Sequence, residues 1–465
     1  MVFSSLVFLL LFFPLVLLTN FALPSIRGKN ICLCLFSLLF YAWGEPLYLF
    51  LMLLMVVANY AFALLMEGRG KRQRLAFLIP AVLVDIGAIA FFKYGDFTLI
   101  NLEKLMGIAM PRIGLPLPIG ISFFTFQIMS YTIDVYRGEV PAQRSLLKLT
   151  TYVALFPQLV AGPIVRYQTI VDELDDRKES LPLFAEGLHR FVKGLSKKVI
   201  LANSMAMLAD TVFAPGQSSL PTGMLWLGAI AYALQIYFDF SGYSDMAIGM
   251  GKMFGFHFLE NFDHPYCSAS VTEFWRRWHI SLGTWFRDYV YIPLGGNRVR
   301  FGRMIFNMLV VWALTGLWHG ANWNFILWGL YYFLLLLTEK LLGKKLLEKI
   351  PTILRHAGTL FLVLLGWVLF RIEDMNQLGQ VFAGMFTCTG GMATYLAGHH
   401  DALYPLYLLI PACVCCLPVS SWLEKKLPQG VAASFLRTAA DIALFALCVF
   451  MLLGSTYNPF IYFRF

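Results

Sequence analysis

His319 is the residue whose position most suggests chemistry. It ends an apolar run, between Trp318 and Gly320 in the segment LTGLWHGANWNF. A neutral imidazole there could remove a proton from a hydroxyl group, because the pKa of histidine lies near neutrality. The ring could equally be buried and satisfied by a backbone carbonyl, which is common near helix ends. The neighbouring residues alone leave both interpretations open.

A second histidine, His279, follows the aromatic segment VTEFWRRW. A Ser/Thr cap before Glu273 predicts one amphipathic helix that lies at the membrane interface or lines a funnel and ends at Pro293 and Gly295-Gly296. Its apolar face would consist of seven large side chains: Phe274, Trp275, Trp278, Leu282, Trp285, Phe286 and Tyr289. His279 would lie close to that face. An interfacial histidine with one ring edge in water explains its position without chemistry.

The last ten residues, TYNPFIYFRF, hold five aromatic side chains and one arginine. Tyr462 carries the only side-chain hydroxyl group of the last eight residues. A phenol of pKa about 10 leaves more readily than an alkoxide, so an acyl ester on Tyr462 would be reactive. The same aromatics are also explained as a belt that anchors the last helix at the membrane interface.

Composition places these residues in an integral membrane protein. Of 465 residues, 59% are hydrophobic and 14% are charged, which is too apolar for a water-soluble globule. The opening segment MVFSSLVFLLLFFPLVLLTNFALPSI has no basic start and no small-residue cleavage site, so it is predicted to be a retained span. The net charge of +9 arises from basic residues between apolar runs, where they set topology, so nucleic acid is not an expected partner.

The apolar runs predict one all-α polytopic membrane domain over residues 1–465, with about 11–13 spans or re-entrant helices. The runs cover residues 3–23, 31–45, 48–66, 75–93, 115–135, 148–165, 198–213, 222–240, 304–318, 322–338, 357–371, 403–422 and 438–455.

Basic loops predict the orientation of these spans. The tract EGRGKRQR at residues 67–74, together with Arg27 and Lys29, predicts that the loops carrying these residues are cytoplasmic. The first span then runs inward, and the N-terminus lies outside. Later basic loops are also predicted to be cytoplasmic. The helix at 438–455 then runs outward, and the tail at 456–465 emerges on the outer side. Both termini are therefore predicted on the outer side of the membrane.

Two carboxylates, Asp239 and Asp245, lie beside a span in YFDFSGYSDMAIGMG. Because a buried carboxylate in lipid is costly, each must face a cavity or a partner. They could line a reaction tunnel on a broken helix. The preferred interpretation is a structural clamp in which Asp245 pairs with an arginine of the aromatic helix.

Other polar clusters predict no metal site. His189, His257 and His264 lack the spacing of metal ligands, and the eight cysteines show no pair of CxxC motifs of the kind that binds zinc. The cluster HHD at 399–401 is expected to be an ordinary outer loop.

Four separated segments resemble the membrane-bound O-acyltransferase family. They are, in chain order, LFPQLVAGPIVRYQTI, YFDFSGYSDMAIGMGKMFGFHFLENFDHPY, WRRWHISLGTWFRDYVYIPLGGNR and LTGLWHGANWNFILWGLYY, within residues 115–340. The first two resemble its bacterial alginate and peptidoglycan O-acetylation branch, which is related to the teichoic-acid D-alanylation membrane protein. The resemblance implies a helical fold with a narrow waist between a cytoplasmic acyl-donor funnel and an acceptor entrance, where two histidines meet.

The resemblance implies roles for individual residues. His319 would be the base that takes the proton of the attacking hydroxyl group, and His279 would orient the donor or stabilise developing charge on the thioester oxygen. The tail resembles the aromatic C-terminal motif of the D-alanylation partner and of the fused acetylation proteins, so Tyr462 would carry the acyl group.

Donor binding is assigned to the aromatic helix on the same basis. Arg276 and Arg277 suit the phosphates of coenzyme A, although positive-inside anchoring also explains them. Trp275 and Trp278 are assigned to the same donor surface.

The function implied is transfer of an acetyl group from cytoplasmic acetyl-CoA, with no permanently bound cofactor, for O-acetylation of an extracytoplasmic polysaccharide. The protein would lie in a bacterial inner membrane and act with an exported or membrane-anchored esterase-like partner. D-alanyl transfer from a carrier protein to teichoic acid is the first alternative, but the fused tail favours acetylation. A transporter or flippase is the second, although no inverted repeat is visible.

Overall fold

The computed structural model describes residues 1–160, 162–214, 220–399, 403–419, 426 and 430–454. The described residues are helical apart from loops and one isolated antiparallel bridge between Phe262 and Trp278. They divide into two compact units, Met1–Phe191 with Tyr243–Glu260, and Val192–Gly242 with Asn261–Phe465.

The first helical element of the first unit is a π-helical turn, Phe8–Phe12, that continues into the α-helix Phe13–Ala22. The further α-helices of this unit are Ile26–Ala42, Pro46–Met66, Lys71–Ile89, Gly95–Met106, Ile121–Arg137, Leu146–Ala154, Phe156–Leu159 and Tyr167–Ile170. A π-helical turn, Ala90–Tyr94, joins Lys71–Ile89 to Gly95–Met106. The helices Leu181–Ser196 and Thr222–Met253 contribute residues to both units.

The second unit contains the segments that carry the candidate site residues. Its further α-helices are Asn203–Val212, Val271–Arg277, Ile280–Phe286, Phe301–His319, Trp323–Leu342, Lys344–Leu347, Thr352–Arg371, Met375–Phe386, Met392–Gly398, Leu409–Cys415 and Val431–Gly454. Two π-helical turns, Lys197–Ala202 and Arg287–Tyr291, lie between them in the sequence.

Seven helices in the described part of the chain are long and apolar enough to cross a membrane. They are Pro46–Met66, Lys71–Met106, Thr222–Met253, Phe301–His319, Trp323–Leu342, Thr352–Arg371 and Ala432–Gly454. Two shorter apolar helices are Phe8–Ala22 and Tyr404–Cys415. The prediction of an all-α polytopic membrane protein is confirmed.

One of the predicted spans is interrupted by a local turn. The run at 148–165 divides at Leu155, whose ψ of 109° separates two short helices, and Pro157 lies in the first turn of the second. The run at 198–213 is not broken, because the π-helical turn Lys197–Ala202 continues directly into the helix Asn203–Val212. Apolar composition alone does not reveal the break at Leu155.

Two glycines set the distance between the helices Phe301–His319 and Trp323–Leu342. A Cβ on Gly316 would lie 2.4 Å from the Phe325 carbonyl oxygen, and one on Gly329 would lie 2.4 Å from the Trp312 carbonyl oxygen. Any larger residue would therefore push the backbones apart, as at other close membrane helix crossings. This crossing holds the end of the first helix, and with it His319, against the start of the second.

The predicted orientation can be tested with single cysteines in a background in which the eight native cysteines are replaced. Lys71→Cys, in the exposed basic tract, is expected to react with a membrane-impermeant maleimide only when the cytoplasmic face is accessible. Thr456→Cys, which lies outside the described residues, is expected to react in intact cells. Labelling of Thr456→Cys only from the cytoplasm would contradict an outward C-terminus.

Candidate active site

His319 is the last residue of the Phe301–His319 helix, and 5% of it is exposed. The helix stops there because Gly320 adopts an extended conformation. The next helix starts after Asn322, whose side chain accepts a hydrogen bond of 2.6 Å from the Trp323 N–H. A short capped turn therefore places His319 at a helix end.

Aromatic rings surround the His319 imidazole. The centroids of Trp328 and Phe370 lie 5.0 and 5.1 Å from its centroid, and both rings are nearly perpendicular to it. Trp328 belongs to Trp323–Leu342, whereas Phe370 belongs to Thr352–Arg371. Asn324 donates a hydrogen bond of 2.9 Å to the Phe370 carbonyl, which ties these two helices together near His319.

The aromatic segment around His279 is not one helix, so the prediction of a single amphipathic helix was wrong. The helix Val271–Arg277 ends at Trp278, which is extended with φ −103° and ψ 128°. His279 then adopts a left-handed conformation with φ 46° and ψ 53°. The chain continues as the helix Ile280–Phe286 and the π-helical turn Arg287–Tyr291.

The break is stabilised by residues that precede the helix in the sequence. The N–H of Ile280 donates to the Asn261 carbonyl at 3.0 Å, and the N–H of Asp263 donates to the Arg277 carbonyl at 3.0 Å. These bonds form a short antiparallel pairing on both sides of His279. Helical periodicity could not predict the break, because the residues that hydrogen-bond to it, Asn261 and Asp263, lie outside the aromatic segment.

Two other predictions for this segment are confirmed. Ser270 caps the helix by accepting the Glu273 N–H at 3.0 Å, and Glu273 in turn accepts the Ala269 N–H at 2.9 Å. The predicted apolar face is also largely buried. Its buried members are Phe274, Trp278, Leu282, Trp285, Phe286 and Tyr289.

His279 is buried, with 2% exposed, and its ring lies at right angles to that of Phe240 with a centroid distance of 4.6 Å. Its Nδ1 lies 3.2 Å from the Asn261 Oδ1. Burial lowers the pKa of His279 to about 3, so the imidazole is neutral at physiological pH.

Trp318 links the two histidines. Its ring centroid lies 5.7 Å from that of His279 and 5.0 Å from that of His319. Two histidines from separate segments therefore contact the same tryptophan. One neighbourhood therefore holds two imidazoles, the side chain that can serve as a proton acceptor or a hydrogen-bonding group in acyl transfer.

The sequence profile of the membrane-bound O-acyltransferase family matches residues 121–355, which include both histidines. The chain belongs to this family. It is therefore a membrane-embedded O-acyltransferase, and the aromatic neighbourhood of Trp318 is the candidate active site of a family member.

Individual relatives support this assignment. The chain is 45% identical to the probable alginate O-acetylase AlgI of Pseudomonas aeruginosa over 393 residues, which cover 83% of this chain and 75% of the relative. It is 31% identical to the peptidoglycan O-acetyltransferase of Helicobacter pylori over 519 aligned positions, covering 100% and 98%. It is 29% identical to the teichoic acid D-alanyltransferase of Bacillus subtilis over 234 residues, covering 47% and 58%.

The two tryptophans assigned to donor binding lie in an aromatic cluster of this O-acyltransferase. Trp275 contacts the rings of Trp312 and Tyr332 at 5.0 and 4.8 Å. Trp278 is buried and contacts Trp367 at 4.8 Å. Their contacts are those of packing residues that support the segment carrying His279.

The two arginines assigned to donor phosphates have different surroundings. Arg277 forms an ion pair of 2.8 Å with Glu273 on its own helix. Arg276 is exposed and lines a cavity of about 720 Å³, to which the basic residues Lys340 and Arg355 and the acidic residues Glu273, Glu339 and Glu348 also contribute. Arg276 is therefore the better placed of the two to meet an anionic ligand.

The two carboxylates beside the span are both paired, and the partner of Asp245 differs from the expected one. Lys198 and Asp239 form an ion pair of 2.6 Å in which each side chain is 2% exposed. Asp245 pairs with Arg190 at 2.6 Å, and Arg190 also pairs with Glu260 at 2.6 Å. The clamp at Asp245 exists, but the prediction that an arginine of the aromatic segment forms it was wrong.

Sequence reasoning missed Asn261, which lies in the quoted segment FLENFDHPY. It is fully buried and contacts His279 through its side chain. The sequence signal that could have pointed to Asn261 was an amide residue within a segment that resembles the family. No sequence spacing relates position 261 to position 279. Tyr462 and the pair His400 and Asp401 lie outside the described residues.

Proposed function

We propose that this O-acyltransferase takes acetyl groups from cytoplasmic acetyl-CoA and passes them across the membrane for O-acetylation of an extracytoplasmic polysaccharide. The observation that carries the proposal is the contact of His279 and His319 with one tryptophan, within a chain similar to alginate and peptidoglycan O-acetylating proteins. The proposed location is a bacterial inner membrane, with both termini on the outer side.

The proposed chemistry begins with the donor thioester. Arg276, with the basic residues of its cavity, is proposed to bind the phosphates of coenzyme A. His319 takes the proton of the attacking hydroxyl group as the new C–O bond forms and the C–S bond breaks. The same proton then passes from His319 to the leaving sulfur, which departs as the free thiol.

Tyr462 is the proposed acceptor of the acetyl group. Its phenol would form an ester that a second hydroxyl group can cleave readily, because the phenolate is a good leaving group. An exported or membrane-anchored esterase-like partner would accept the group on the outer side and transfer it to the polysaccharide. Aromatic side chains next to Tyr462 would lose water contact by packing into the outer mouth of the protein.

The choice of donor can be tested with the purified protein in lipid nanodiscs. Acetyl-CoA labelled in its acetyl group is expected to be consumed slowly, with release of the free thiol of coenzyme A and of the labelled acetyl group as acetate. Consumption is slow because, when no partner is present, the acetyl group can only be hydrolysed. A D-alanyl thioester of a carrier protein is the matched competing donor. Consumption of the D-alanyl thioester with no consumption of acetyl-CoA would reject acetyl transfer and favour D-alanylation.

A further inference from the structure

The side-chain oxygen of Asn261 is the meeting point of three polar groups. It accepts the backbone N–H of Ser281 at 3.1 Å and the Ser281 hydroxyl group at 2.9 Å. The Nδ1 of His279 lies 3.2 Å from the same oxygen. All three residues are buried, so these bonds are shielded from water.

These contacts decide which way the Asn261 amide points. A backbone N–H can only donate, so the Asn261 atom that faces Ser281 must be the oxygen and not the NH₂ group. An amide oxygen can only accept. The Ser281 hydroxyl group, 3.5 Å from the Nδ1 of His279, donates its one hydrogen to Asn261 at the shorter distance of 2.9 Å. The Nδ1 of His279 therefore carries its own hydrogen and donates it to the same oxygen.

The proton on Nδ1 fixes the hydrogen-bonding role of the other ring nitrogen of His279, Nε2. In a neutral imidazole with its proton on Nδ1, Nε2 carries a lone pair and can only accept. The Nε2 atom is buried and makes no hydrogen bond to any residue in the described ranges. The backbone of Asn261 adds to the constraint, because its carbonyl accepts the Ile280 N–H and so holds His279 in its left-handed conformation.

We infer that Asn261 is a positioning residue that holds the proton of His279 on Nδ1 and makes Nε2 a hydrogen-bond acceptor for the acyl donor. This inference rests on the proposed function in that His279 contacts the donor. A pantetheine thioester carries secondary amide N–H groups along its arm, and such a group is the matching donor for a bare imidazole nitrogen. Of the two roles implied for His279, orientation of the donor agrees with this geometry. Hydrogen bonding to the thioester oxygen would need an N–H at Nε2.

The tautomer can be measured without any substrate. Protein labelled with ¹⁵N-histidine in nanodiscs is expected to show a neutral Nδ1–H imidazole for His279, identified as the signal that His279→Phe removes from the set of eight histidines. Asn261→Leu, which has similar volume but no acceptor, is expected to lose that signal pattern. A proton on Nε2 in the native protein, or an unchanged pattern in Asn261→Leu, would overturn the inference.

Two further variants separate positioning from folding. Asn261→Asp keeps an acceptor oxygen at the same place and is expected to keep the proton on Nδ1 even if Asn261→Leu fails to fold. Ser281→Ala removes the hydroxyl group that donates to the same oxygen and lies 3.5 Å from the His279 Nδ1, but it leaves the contact of Asn261 with His279, so it is expected to retain the tautomer. Displacement of the proton from Nδ1 in Asn261→Asp would also overturn the inference.

Loss of the orienting oxygen of Asn261 is expected to change mainly the KM for the acyl donor. Loss of one donor hydrogen bond in Asn261→Leu should raise KM for acetyl-CoA about tenfold with a smaller change in kcat. An unchanged KM with a collapsed kcat would reject the donor-orienting role. If the protein does not use acetyl-CoA at all, the tautomer measurement still decides whether Asn261 positions His279.

Discussion

Replacing His319 by alanine is expected to reduce acyl transfer by about 10²- to 10⁴-fold, because the attacking hydroxyl group then has no base to take its proton. His319 is buried, and the rings of Trp328 and Phe370 that pack against it cannot accept a proton in its place. The measurement is release of free thiol from acetyl-CoA by purified protein, together with acetylation of the polysaccharide in cells.

Folding must be checked in parallel, since truncation of a buried side chain leaves a cavity. His319→Gln keeps most of the volume and a polar group but no base, so it is expected to fold and to be equally inactive. His399→Ala is the matched control, because His399 is exposed and its Nδ1 lies 3.0 Å from the Tyr395 carbonyl oxygen, away from the residues assigned to the reaction. Turnover at the native rate by a folded His319→Ala protein would reject His319 as the base.

Replacing Tyr462 by phenylalanine is expected to eliminate acetylation of the polysaccharide while leaving expression and folding intact. The substitution keeps the aromatic ring and removes only the phenolic oxygen, so an anchor of the last helix would be unaffected. Mass spectrometry of the C-terminal peptide is expected to show an acetyl group in the native protein and none in Tyr462→Phe. The acetylated peptide should accumulate when the exported partner is absent.

Tyr457→Phe tests the specificity of this result, because Tyr457 is the other tyrosine of the same tail. It is expected to keep both the acetylated peptide and the modified polysaccharide. His319→Ala should lose the acetylated peptide as Tyr462→Phe does, since both remove a participant in the same step. Acetylation of the polysaccharide at near-native levels by Tyr462→Phe would show that Tyr462 is only an anchor.

Local sequence patterns succeeded where one segment contains all the interacting groups. The cap at Ser270 and Glu273 was predictable because its hydrogen bonds join residues three or four positions apart. The apolar face of the segment was predictable for a related reason, since burial follows side-chain chemistry even where the helix is broken. The same reasoning failed at Asp245, because its partner Arg190 lies in a helix that no pattern connects to it.

Composition and apolar runs by themselves determined that this protein is an all-α polytopic membrane protein, because a lipid environment requires continuous apolar segments with internally satisfied backbones. Four separated segments determined the family and singled out the two histidines. Only the tertiary structure decided how those histidines are held. The left-handed break at His279, the orienting oxygen of Asn261 and the shared contact with Trp318 all depend on residues distant in sequence. No helical period encodes such contacts, so they became visible only when the chain was folded.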